Sequence, residues 1–222
     1  MELREALTTT PATRDFTDEP VSDVEIHRLL EVARFAPNGG NRQGWHVIVV
    51  RDAATRAAFV AAAEPVARRY AAQKEAGEQP WNTVNPTKVD AATIAATEVP
   101  DWTTSHYRNA PVLLLICLDL SVVASVDAGL DRVGVISGAS IYPFAWSILL
   151  AAREAGLGGV MTTLPIGSEP ELQALLGIPK HVAMAAVVPL GHPVKQITKL
   201  KRGPVEEFAH LERWDGPPLT AG

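Results

Sequence analysis

Residues 36–50 read "APNGGNRQGWHVIVV", from Ala36 to Val50. The first part holds a proline, three glycines and three amide side chains in a few positions. The second, "WHVIVV", is a buried-strand pattern rich in β-branched residues. Upstream, Ser22 and Glu25 form an S-x-x-E capping box, and Ile26, Leu29, Leu30 and Ala33 follow at helical spacing. This predicts a helix from about Asp23, closed by Pro37. A helix-to-strand connector needs only a turn, yet Asn38–Gln43 carries far more hydrogen-bonding capacity than a turn uses. Gly39 and Gly40 permit close approach of a backbone or ligand, and Asn38, Asn41 and Gln43 offer donors and acceptors to a planar heterocycle. An asparagine-rich turn bonding its own backbone is the alternative.

Helical and strand patterns alternate outward from this stretch. Ala53–Ala76 is Ala-rich and predicts a helix. Gly77–Asp101 has no clean period and reads as a loop or lid with a short helix near Asp90–Thr97. Strands are expected at "APVLLLICLD" (110–119) and "HVAMAAVVPLG" (181–191), with a shorter candidate at "VMTTL" (160–164). Asp131–Ala155 reads as a long helix, apolar nearly all round, which Pro143 should kink or split. Such a helix suits either a dimer interface or the interior of one large domain. "GLGG" (156–159) stops it, and "SEPELQALLG" (168–177) reads as a helix boxed by Ser168 and Glu171 and closed by Gly177. There is no repeat and no Gly/Ser-rich linker, so one α/β or α+β domain spanning 1–222 is expected.

The chain has 222 residues, 47% of them hydrophobic, and a net charge of −5. No basic field points to nucleic acid, and no apolar run approaches a membrane span of roughly 20 residues. No signal-peptide pattern is present, so a soluble cytoplasmic protein is expected. The single cysteine, Cys117, lies inside an apolar run and reads as core. Metal-ligand spacing, GxSxG, P-loop and a complete GxGxxG are all missing. The chain therefore advertises no acid–base or nucleophile constellation of its own, and a cofactor is left to carry any chemistry.

Four segments in order, "TPATRDF…APNGGNRQGWHVIVVRD", "WSILLAAREAGLGGVMTT", "LLGIPKHVAMAAVVPLGHP" and "KRGPVEEFAHLERWDG", resemble the FMN-dependent nitroreductase family from about Thr10 to Trp214. The resemblance implies an α+β fold with a mixed central sheet flanked by helices. It also implies an intertwined homodimer, two FMN molecules at its interface, and a C-terminal extension (about 192–222) that adds a strand to the partner's sheet. It places Arg14 near the flavin pyrimidine edge or ribityl chain. Asn38, Gly39, Asn41 and Gln43 line one side of the ring, Gly158 and Gly159 pass N5, and Arg202, with Lys201 beside it, contacts the phosphate. The family's usual first arginine and serine fall on Thr10 and Ala12, leaving Lys199 or Lys201 to compensate. Trp146 and Ser147 replace a common Gln-Asn pair, which marks a divergent branch. Trp81 and Trp102 are the aromatic candidates for the acceptor side.

The activity so implied is hydride transfer from NADH or NADPH through flavin N5 to a small planar acceptor of nitroaromatic, quinone or enone type, with ping-pong kinetics. Two alternatives stand beside it: a non-enzymatic flavin-binding or sequestering protein, and a dehalogenating or flavin-cleaving relative.

Overall fold

The computed structural model describes residues 1–221. A short helix α1 (Leu3–Thr9) precedes α2 (Asp23–Ala33). The expected capping box closes α2: Ser22 Oγ accepts from the Glu25 amide at 3.2 Å, and Glu25 Oε2 accepts from the Ser22 amide at 2.7 Å. Strand β1 (Trp45–Val50) follows the Asn38–Gln43 loop. Asp52 then caps α3 (Ala53–Glu75) by accepting from the Thr55 amide. Short helices α4 (Ala91–Ala96) and α5 (Ser105–Asn109) lead into β2 (Val112–Asp119). The remaining elements are α6 (Tyr142–Glu154), β3 (Gly158–Gly159), α7 (Glu169–Leu176) and β4 (Val182–Gly191).

The strands form one sheet in the order β1-β2-β4-β3, every neighbouring pair antiparallel. The mixed sheet implied by the resemblance is thus not found within the chain; a parallel strand would have to come from another copy. Strand β2 is central and buried on both faces, which explains its unbroken apolar run. Leu114, Ile116, Val188 and Leu190 face the α2–α6 layer, while Leu113, Leu115 and Cys117 face α3 and α7. At about 1.5–3 kcal/mol per buried large side chain, this double-sided row anchors the molecule. Trp45 stacks on Phe144 with ring centroids 4.8 Å apart, fastening the start of β1 to α6.

Four expectations change in the second half. The helix does not begin near Asp131. A 3-10 turn (Ile136–Ser140) comes first, and Pro143 sits in the first turn of α6, where its missing N–H is harmless. Nor is α6 buried all round: Tyr142 and Trp146, one helical turn apart, are 43% and 37% exposed. "VMTTL" forms no regular strand; Thr162 alone bridges to Val187. Ser168 caps nothing, because its hydroxyl donates to the Ala62 carbonyl of α3, in the turn before Pro65 interrupts that helix's ladder.

Candidate active site

The predicted site residues fall into two main groups. The first lies beyond the C-terminal end of α6, where the Thr13 amide donates to the Gly159 carbonyl at 2.9 Å. Both glycines are demanded by packing. A β-carbon on Gly158 would stand 2.8 Å from Thr13 Oγ1, and one on Gly159 would stand 2.9 Å from the Pro189 carbonyl oxygen. Arg14, next to Thr13, is exposed and takes part in no ion pair among the described residues.

Three residues absent from the sequence-based reading complete this group. Tyr107 is wholly buried, and its hydroxyl lies 2.7 Å from Thr162 Oγ1. Burial raises the Tyr107 phenol, against the lowering effects of Thr162 and Arg14. His106, also buried, is held near pKa 4, chiefly by desolvation and further by the Arg14 guanidinium. "SHYRNAP" carried no signal for His106 or Tyr107, since it is an ordinary approach to a strand. Thr10 is spent elsewhere: its hydroxyl donates to the Ala6 carbonyl at the end of α1.

The second group is the Asn38–Gln43 loop, at the N-terminal end of α6. Three of its residues have positive φ: Gly40 at 64°, Asn41 at 52° and Gln43 at 51°. Asn and Gln tolerate that region at a cost, and such over-determined backbone concentrates at functional sites. The amides partly serve the loop itself, as the alternative reading allowed. Asn38 Oδ1 accepts from the Gln43 amide at 2.9 Å, and Gln43 Nε2 donates to Asn41 Oδ1 at 3.3 Å. The Gly39 amide donates to Ser140 Oγ, and Arg42 donates to the Val122 carbonyl, which moors the loop beside the start of α6.

The remaining candidates lie apart. Trp81 is seated on α3, its amide donating to Gln73, its indole donating to the Val66 carbonyl and the Arg69 guanidinium 4.2 Å over its ring. Trp102 meets Tyr70 edge-on, with Lys74 5.8 Å from its ring centre. Both indoles stay partly exposed and pin the 77–104 segment to α3. Lys201 and Arg202 are exposed on the extension, where Arg202 donates to the Lys201 carbonyl. Cys117 lies in the core, its thiol pushed up to about 11 by burial and by Glu169. Among the described residues no cluster could hold a metal ion, and no helix is long and apolar enough to cross a membrane.

The model of the family described as "Nitroreductase family" matches residues 8–192. The chain belongs to the nitroreductase family. The FMN reductase (NAD(P)H) of Bacillus subtilis is 28% identical to it over 225 residues, spanning 96% of this chain and 74% of the relative. Iodotyrosine deiodinase 1 of Homo sapiens is 29% identical, over 93% of this chain and 67% of the relative. The NADPH:FMN oxidoreductase of Vibrio harveyi, solved in complex with NAD+, shares the fold with a TM-score of 0.67 at 19% identity, covering 95% of this chain and 77% of that one. The nitroreductase fold thus agrees with the α+β architecture that the resemblance implied.

Proposed function

We propose that this nitroreductase-family chain is an FMN-dependent oxidoreductase that passes electrons from NADH or NADPH to a small planar acceptor of nitroaromatic, quinone or enone type. One observation carries this reading: the two halves of the candidate pocket lie at opposite ends of α6. Thirteen helical residues span roughly 20 Å, too far for one ring system to touch both halves of one chain. Between them runs an unpaired apolar face of Tyr142 and Trp146, continued by Val32, Phe35, Leu3 and Leu7, all exposed. A homodimer closed over that face brings the Arg14 end of one protomer to the Asn38–Gln43 loop of its partner.

The chain's free groups fit such a cofactor. Arg14, an unpaired cation, would hold the pyrimidine edge and stabilise negative charge there. Asn38, Gly39, Asn41 and Gln43 would wall one side of the ring, and the Gly158–Gly159 backbone would pass its N5. Lys201 and Arg202, paired with no carboxylate among the described residues, would clamp the phosphate in place of Thr10. Bound FMN supplies hydride transfer; the protein orients it and sets its charge. Trp81 and Trp102 would offer aromatic surface to the acceptor. The extension fits an exchange between protomers, since Trp214 is 96% exposed and β1 pairs with β2 alone, leaving its other edge open.

The likeness to iodotyrosine deiodinase supports a second reading, reductive dehalogenation of a halogenated aromatic at the same flavin. The visible spectrum of the purified protein, followed by anaerobic NADH or NADPH, tests the assignment. Bleaching of a flavin band is expected. A yellow protein that neither donor bleaches would be a flavin carrier, and a colourless one that FMN cannot reconstitute would end the assignment. Nitroaromatic, quinone and iodophenol acceptors then separate the two enzymatic readings. Arg202→Ala should weaken FMN binding by about 1–3 kcal/mol, read by fluorescence quenching; unchanged affinity would remove Arg202 from the site.

A further inference from the structure

Residues 123–139 leave the fold between β2 and α6, and both ends of this excursion rest on the Asn38–Gln43 loop and its neighbour Gly44. At one end Arg42 donates to the Val122 carbonyl at 3.2 Å, and a β-carbon on Gly44 would stand 2.7 Å from a Val122 methyl. At the other the Gly39 amide donates to Ser140 Oγ at 3.3 Å. One carboxylate ties the middle. Asp127 is 3% exposed, and its Oδ2 accepts from the Val135 amide at 2.7 Å, the Ile136 amide at 3.3 Å and the Arg132 guanidinium at 2.9 Å. Oδ1 is buried with no partner among the described residues. Burying a carboxylate with one oxygen idle is costly. The excursion's own apolar side chains gain no burial in return: Val126, Leu130, Val133, Val135 and Ile136 stay between 40% and 84% exposed. Asp127 thus fixes an apolar surface that faces solvent, and such patches mark binding surfaces. Asp131 is the excursion's other carboxylate, and it is exposed.

We propose that this excursion is an apolar wall of the acceptor site, with Asp127 as its positioning residue, and that it selects neutral acceptors of more than one ring. The inference rests on the flavin reading and deepens it by naming the acceptor class. If the Asn38–Gln43 loop walls the flavin, a surface standing on that loop at both ends borders the space beside the ring. A single-ring acceptor stacked on the flavin leaves such a wall untouched, whereas a fused second ring reaches aliphatic side chains there. The Asp131 carboxylate repels anionic acceptors from the same edge. The wall adds affinity because Asp127 has ordered it before the acceptor arrives. The face assigned above to a second copy, Tyr142 and Trp146, lies on α6, beyond the Ser140 tether.

The test compares 2-methyl-1,4-naphthoquinone with 1,4-benzoquinone as acceptors for the FMN-loaded protein, with NADH or NADPH as donor. The readout is the ratio of their kcat/KM values, in which changes to the flavin common to both acceptors cancel. Leu130→Ser combined with Val133→Ser, both at exposed positions, should lower the ratio about tenfold, the order of discrimination that apolar contacts give. Asp127→Asn keeps the side chain's shape but weakens its hold on Arg132, and it should lower the ratio through a raised naphthoquinone KM. Arg132→Gln, which removes one partner of Asp127, should act in the same direction and serves as the second variant should Asp127→Asn misfold. A carboxylate that only supports the fold would lower the melting temperature or FMN retention and leave the ratio alone, which overturns the positioning role. An unchanged ratio in the Leu130–Val133 variant overturns the wall itself. If light scattering then finds that variant monomeric where the wild type is dimeric, the excursion is a contact between copies instead. A wild type that retains no FMN overturns the flavin reading and this inference together, an outcome distinct from an unchanged ratio.

Discussion

At the scale of single residues, His106 carries a cost that acid should reveal. An unfolded imidazole titrates near its ordinary value of about 6.5, whereas in the fold it is held to about 4. Between those values the unfolded chain binds more protons than the folded one. Its contribution to stability is therefore intact above pH 6.5 and is lost as pH falls toward 4. The full loss is on the order of 3 kcal/mol. Chemical denaturation at pH 7 and pH 4.5 should show the wild type losing more stability than His106→Phe, which cannot titrate; parallel losses would place the acid sensitivity elsewhere. The same residue shows where the sequence was silent. The Asn38–Gln43 loop could be singled out because its residue types are unusual for a turn, and Arg14 because the resemblance pointed to it. His106, Tyr107 and Thr162 could not, because what distinguishes them is burial and contact with distant segments.

Among the elements, those with strong local chemistry were legible. The Ser22–Glu25 box, the β2 run and the Gly177 stop, with φ 67°, are all dictated within a few residues. Elements whose bounds depend on neighbours were not. Pro143 reads as a break inside a long helix, yet it begins a shorter one because the 131–135 stretch joins a turn around Asp127. That carboxylate accepts from the Val135 amide and pairs with Arg132. Ser168 reads as a cap but bonds α3, which no local pattern could tell. The two glycines of β3 leave no room for a β-carbon beside Thr13, Leu149 and the Pro189 carbonyl. Gly159→Ala should therefore destabilise the fold, by about 1–3 kcal/mol as for other overpacked sites, even without cofactor. Thermal melts of the FMN-free variant check this. A melt matching the wild type would mean that the segment yields easily, leaving backbone approach to a ligand as the reason for the glycine.

For the whole molecule, the separation of the two half-sites makes a structural claim about assembly. If the pocket is built from two chains, disrupting the α6 face must remove cofactor binding at residues that the substitution never touches. Trp146 is suited to the test: it is part-exposed on the outer stripe of α6, while the inner stripe (Phe144, Ala145, Ile148) is buried against the sheet. Trp146→Glu places a charge on the apolar face without disturbing that core, and a homodimer closed over that face would have to bury two such charges. Light scattering should show a dimer for the wild type and a monomer for the variant, with far-UV circular dichroism unchanged. FMN affinity should fall at least tenfold, and dilution of the wild type below its dimer dissociation constant should release flavin in step with dissociation. A monomeric Trp146→Glu that binds FMN as tightly as the wild type would mean that one chain suffices, and the pocket would then have to be sought around Arg14 and Trp102 alone.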